Sequence, residues 1–504
     1  MRLPQQRDSK PRLSDSNGWT VRLVLSLISL VILLETLALN YGMIATGLPS
    51  IMVDFDTDQG AWIQTSFLLV GAVISPALGK IADTVGKRKV LLACAVIASI
   101  GALLSAVAPS YWVLLAGRAL SGVLVACLFL SYSLIRDIYP PRTVPMSVAI
   151  ATSGMGLISI PVPFLTGWLI DSFGWRSIFW FFAIVIAVTG VLILVTTDES
   201  LYRLKARIDP LGAVLLGGGI GAVLIAVSFG TSWGWTDAKT LMFVLGGAAL
   251  LILWAYSATR ISEPLIDLRL VLNRPVGMTT IMAGMAYGSS AVSLTLMPLM
   301  CMAPVGLAVG YGFGVNAEQY ALFQSPYGAA TMIGGLIVGA LVSRGTRPRV
   351  TAISGSALFG LASLLVIPVM ESRSGVLLAF VLIGLGMGIV YGSIPNIQIR
   401  AVPPQLQAST ASIVATSQSL MSAILPVIAF AFLNANMTQS SSTSYPVYSQ
   451  TGMTLAWMVA GGAALVGCAA AVAIPRVFTQ LSAPGAATSQ VIDGTSVGSG
   501  ATSR

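Results

Sequence analysis

Long apolar runs dominate the chain, and the first, Leu23 to Leu48, carries a carboxylate, Glu35, in its midst. A run of about 20 apolar residues crosses the roughly 30 Å hydrocarbon core of a bilayer as a helix. Lipid offers the backbone no hydrogen-bonding partners, so each run must satisfy its amides internally. Fourteen such spans are expected: 21–47, 59–79, 88–108, 111–134, 145–169, 177–196, 210–229, 240–258, 276–302, 318–342, 350–370, 375–399, 405–433 and 452–474. The first is longer than the core of a cleavable signal, about 7–15 residues, so it is read as a helix that stays in place.

Charge tests that count. Only 9% of the 504 residues are charged, against about 25% in soluble chains. With the N-terminus in the cytoplasm, 23 of the 27 lysines and arginines fall on the inner side. Arg176, Lys239 and Arg373 fall outside, and Arg118 lies within a span. A missed or invented helix would scramble this alternation, so both termini are expected inside a multi-pass protein of the plasma membrane. The net charge of +9 therefore reflects topology, and no nucleic-acid partner is expected. There is no histidine, and the four cysteines sit in separate apolar segments, which leaves little for zinc or histidine acid–base chemistry. No phosphate-binding loop is present, because the GGGIG run lies in no strand–turn–helix context. No enzymatic cluster is visible, and no cofactor is expected beyond protons as a coupling ion.

The loop after the second span reads GKIADTVGKRKVLL, with Gly79, Asp83, Gly86, Lys87, Arg88 and Lys89. Gly79 permits close helix packing, Gly86 a tight turn, and Asp83 a helix cap or a pairing with Arg88 or a neighbouring helix end. A weaker echo, GALVSRGTRPRV, follows 260 residues later with Ser343 in place of Asp83. Each copy joins the second and third helices of its own half, as a duplicated six-helix unit predicts. Helices seven and eight are then an insertion. The loop resembles the signature loop of the major facilitator superfamily, and the layout resembles its fourteen-helix drug:proton antiporter branch. GLPSI, LLAGRALSG with Arg118 and Gly122, DSFGWRSIFWF and EPLIDLRLVLNRP extend the resemblance from Val21 to Pro475. In the fifth-helix motif, IPVPFLTGW keeps Pro163 and Gly167 but has Val162 and Thr166 where the branch has glycines. Asn40 stands where the branch has its first-helix aspartate, and Phe182 and Ile184 replace its usual asparagine and proline in helix six.

The resemblance implies an all-α membrane fold of two six-helix bundles plus two inserted helices. The expected divisions are a cytoplasmic segment 1–20, a first bundle 21–196, inserted helices and linkers 197–275, a second bundle 276–474 and a disordered cytoplasmic tail 475–504. It further implies alternating-access transport of a small lipophilic molecule by a monomer, here as proton-coupled efflux of amphipathic or cationic drugs. Transport of one metabolite or lipid stays open, and a channel or transport-dead sensor is a remoter reading. Away from the span ends only Glu35 and Arg118 are formally charged, and a mid-helix charge costs about 2.5–3.5 kcal/mol to insert. First and fourth helices line the family's cavity, so the resemblance puts both on the transport path as the proton-coupling pair, while Arg118 fits equally a basic residue that ties helices together. Burial penalises the charged form of Glu35, so a proton and a cationic substrate would compete for one carboxylate. On an ideal helix Glu35, Gly42 and Thr46 share one face, and Thr36 and Asn40 another, about 100–140° away. Asn40, Tyr41, Tyr287, Gln324, Tyr391 and Asn396 are the candidate cavity wall.

Overall fold

The structure is a computed structural model of the chain. It describes residue 13 and residues 18–144, 146–147, 150–151, 160–200, 209–261, 272–305, 310–401, 407–437 and 447–475. All but a few residues of the expected segments 1–20 and 475–504 lie outside the described residues, as does much of the expected fifth span.

The described regular elements are helices: α1 Val21–Asp54, α2 Ala61–Val85, α3 Lys87–Ala106, and α4, which joins Tyr111–Ser121 to Cys127–Ile138 through a 3-10 stretch, Gly122–Ala126. Next come α5 Val162–Phe173, α6 Arg176–Thr196, α7 Pro210–Trp233 and α8 Ala238–Arg260. The last six are α9 Arg274–Cys301, α10 Ala317–Ser343, α11 Pro348–Val369, α12 Arg373–Ala401, α13 Gln407–Ala435 and α14 Gln450–Ala473. Among the described residues, eleven helices are long and apolar enough to cross a membrane, or twelve if the bent α2 is one span. The expected fourteen is not reached among the described residues, because much of the fifth span lies outside them and α5 is described over only 12 residues. In α9, Thr279, Thr280, Ser289, Ser290, Ser293 and Thr295 are buried and dilute its apolar content.

Packing divides the helices into two sets. In the first, α1 and α3 pack on α6, and α4 on α2 and α3. In the second, α9 packs on α13 and α14, while α12 joins α10 to α11. The α7–α8 hairpin sits outside both, with α7 against α2 and α13. Its α8 turns Leu241, Met242, Leu245, Ile252 and Leu253 outward, as a helix solvated by lipid does. All four cysteines are free thiols.

The sets meet along α1–α9, α2–α13 and α5–α10. The turn at Gly86 marks one face of the molecule, the basic face, and the turn at residues 55–60 marks the opposite face. Among the described residues, the hydrogen bonds between the sets lie in the half toward the opposite face. Thr65 Oγ1 donates to Ala423 O (2.9 Å), Asn434 Nδ2 to Asp58 O (3.1 Å) and Ser325 Oγ to Ile160 O (3.0 Å).

Small residues let the helices approach. A Cβ on Gly388 of α12 would stand 1.9 Å from Thr331 O on α10. Backbone cannot yield as a flexible side chain can, so Gly388→Ala must push the two helices apart. Such overpacking costs about 1–3 kcal/mol. A lowered melting temperature in detergent is the expected result, and an unchanged one would show that the contact is slack.

Candidate functional site

The central helix is α1, anchored at its start by Thr20, whose hydroxyl accepts from Leu23 N. Toward the opposite face it meets α10: Thr46 Oγ1 lies 2.9 Å from Gly42 O and 3.1 Å from Gln324 Oε1. Gln324 Nε2 also reaches the bare Cα of Gly42, where a Cβ would be 3.1 Å away. Glu35 shares this face, two helical turns nearer the basic face. It is only 2% exposed, and neither carboxylate oxygen has a hydrogen-bond partner. Asn40 is also buried, with its Oδ1 unpartnered. Leaving a buried polar group unsatisfied costs about 1–3 kcal/mol, more for a charged one. Two such groups within six residues mark the middle of α1 as a place where stability is given up.

The two expected coupling residues are not brought together. Arg118, 1% exposed, donates from Nε to Ile63 O (2.9 Å) and holds Nη2 at 3.5 Å from Gln64 Oε1. Its guanidinium lies 4.6 Å over the Phe67 ring. These contacts fasten α4 to α2, and none of the ion pairs among the described residues joins Arg118 to Glu35.

Between the sets, Tyr41, Gln64, Leu68, Ala291, Leu294 and Thr295 enclose a cavity of about 10 Å³, room for about one water. Beside it Tyr287 and Tyr391 stack, ring centroids 4.1 Å apart, and Tyr41 and Phe67 meet at right angles at 6.5 Å. Of the candidate wall residues, Tyr287 and Tyr391 are in contact with each other and Tyr41 lines the small cavity, whereas Asn396 turns to its own helix, donating to Gly392 O (2.8 Å). A larger, open groove of about 480 Å³ runs along the basic-face half of α1. It is lined by Val24, Leu27, Ile28, Val31 and Ile32 with Met146 and Ile150, and Glu35 lies one turn beyond its end.

At the basic face, Gly86 takes φ +132°, a conformation open to glycine, and turns α2 into α3. Lys87 Nζ bonds Asp137 Oδ2 and Ser133 Oγ, each at 2.6 Å, with both ionic side chains 8% exposed. Asp83 reaches only the edge of that pair, 3.9 Å from Lys87. Of the pairings open to Asp83, the one with Arg88 is not among the ion pairs of the described residues; Glu199 caps α3, accepting from Arg88 N (3.0 Å) and Lys89 N (3.1 Å). Gly79 packs on Phe129. Pro163 opens α5, and Gly167 lies against the backbone of α10 at Glu318.

Sequence profiles decide the family. That of the Major Facilitator Superfamily matches residues 30–426. The chain belongs to this superfamily. Its members are membrane transporters, not enzymes. The chain is 27% identical to an uncharacterised MFS-type transporter of Mycobacterium tuberculosis over 69% of its own length, and spans about half (50%) of that relative. It is 27% identical to the multidrug resistance protein Stp of the same species, with 82% of this chain and 76% of Stp covered. A uridine/deoxyuridine transporter of Lactococcus lactis is 26% identical, over 77% of this chain and 81% of the relative. A crystal structure of a POT peptide transporter with sulfate shares the fold, at TM-score 0.64 and 17% identity, covering 89% and 94% of the two chains.

Three carboxylates of this facilitator escaped the sequence reading: Asp137, Glu199 and Asp171. Asp137 carried a signal, an acid beside Arg136 at the basic end of α4. Asp171 carried a stronger one, taken up below.

Proposed function

We propose that the chain is a secondary transporter exporting amphipathic or cationic compounds in exchange for protons, by alternating access between 21–196 and 276–474. The observation that carries the reading is Glu35, a buried carboxylate on α1 with no hydrogen-bond partner. A group so placed is held for protons or for a passing cation, since it serves no contact within the fold. Similarity to Stp, a multidrug resistance protein, supports membership of the fourteen-helix drug:proton antiporter branch. In this reading 197–275 is the inserted pair with its linkers, and both termini are cytoplasmic in a monomer of the plasma membrane.

The stacked Tyr287 and Tyr391, with Tyr41, would give a substrate flat aromatic surface that tolerates varied shapes. The apolar groove along α1 supports a lipophilic substrate. A second reading, transport of one metabolite, is favoured by the similarity to a uridine/deoxyuridine transporter. Purified protein in proteoliposomes with an imposed pH gradient separates them. Export of several unrelated lipophilic cations against the proton flux is expected. Movement of a single nucleoside-like compound with the proton flux would replace the first reading by the second.

A further inference from the structure

The signature of the basic-face loop occurs a second time inside the same set of helices. Gly79, Asp83, Gly86 and Arg88 recur as Gly167, Asp171, Gly174 and Arg176, 88 positions on in every case. Both copies close a helix that packs across the molecular seam, α2 against α13 and α5 against α10. Both turn on a glycine with positive φ, +132° at Gly86 and +76° at Gly174. They sit on opposite faces, as copies do when three helices and the next three form an inverted repeat.

The two aspartates are in different states. Asp171 crosses the seam: its Oδ1 accepts from Ala317 N (3.3 Å) and its Oδ2 from Glu318 N (2.9 Å). The first amides of a helix have no partner within it. Asn316 caps the third amide, Gln319 N (2.9 Å), so the two that α10 cannot serve itself are served by α5. The carboxylate also meets the positive end of the α10 dipole. Gly167, one turn back, brings α5 so close that a Cβ would stand 2.4 Å from Glu318 Cα. Asp83 holds the matching place on the basic face, yet its ion pair is with Lys87 of its own set.

We propose that Asp171, seated on the N-terminus of α10 with Gly167 behind it, is the latch that holds the opposite face closed. Separating α5 from α10 on that face returns two amides and one carboxylate to water, so closure depends on this contact and opening breaks it. The latch goes beyond the proton and substrate assignment, and its test reads conformation alone, so neither result depends on the role of Glu35.

Pulsed EPR in liposomes can follow both faces at once, with the native cysteines replaced. One label pair, at Ser110 and Glu371, spans the opposite face; the other, at Arg136 and Arg344, spans the basic face. Asp171→Ala and Gly167→Ala are each expected to raise the long-distance population at the opposite face, about fivefold for loss of such a cap. The basic-face pair is expected to shorten in the same variants. Asp171→Asn, which keeps one acceptor oxygen, should fall between parent and alanine. Unchanged distances in both variants would overturn the latch. So would broadening of both pairs together, because that reports loosening rather than a switch. If Asp171→Ala does not fold, Gly167→Ala decides by the same two distances.

Discussion

Glu35→Gln is expected to reduce pH-driven export in proteoliposomes to the level of protein-free vesicles while the protein still folds and inserts. The carboxylate makes no hydrogen bond, so its replacement breaks no contact of the fold. Glutamine has nearly the same shape, and removing the charge relieves part of the insertion cost of about 2.5–3.5 kcal/mol for a mid-helix ion. Melting temperature is therefore expected to hold or rise as transport disappears. Glu35→Asp keeps a titratable group with a shorter reach and should retain a measurable fraction of the parent rate. Parent-level exchange by Glu35→Gln would remove the physical support for proton coupling at α1. A transport loss accompanied by a collapse in melting temperature would recast Glu35 as a structural residue.

Helix positions were legible because lipid leaves the backbone one solution. The expected span 240–258 is met by Ala238–Arg260, and 350–370 by Pro348–Val369. Length and apolarity carry that information locally. What they do not carry is the partner of a charge. The sequence left Arg118 open between a companion to Glu35 and a tie between helices, and its bonds go to a backbone carbonyl and an aromatic ring of α2. Such partners leave no trace in charge patterning. Asn396 was read as a cavity residue by its type, but an amide in a helix can satisfy itself on the carbonyl four residues back, as it does at Gly392. Asp171 was legible in principle. Its spacing repeats the Gly79–Arg88 signature, but the match appears only when the two loops are aligned on opposite faces of the membrane.

Lys87→Met is expected to destabilise the protein by about 3–5 kcal/mol, the effect of leaving one member of a buried ion pair alone. Asp137 would keep a bond from Ser200 Oγ (2.7 Å) but lose the buried cation at 2.6 Å, with only the exposed Arg136, 3.8 Å from its other oxygen, left among its ion pairs in the described residues. Asp137→Leu should also be harmful, since it leaves the buried ammonium with Ser133 Oγ at 2.6 Å and its remaining carboxylate, Asp83, no nearer than 3.9 Å. Replacing both by apolar residues of similar volume removes the desolvated charges together and is expected to recover most of the loss. A thermal-melt double-mutant cycle then gives a coupling energy of at least about 2 kcal/mol. Additive losses would show that the pair is solvated and weak. The double variant also divides the signature loop by role. Lys87 binds α3 to α4 within one set of helices, a contact that rigid-body motion of that set does not disturb. Transport by the double variant should therefore stay near the parent rate once stability is restored. A stable but transport-dead double variant would place the Lys87 charge in the switch itself, beside Asp83, rather than in the scaffold that carries it.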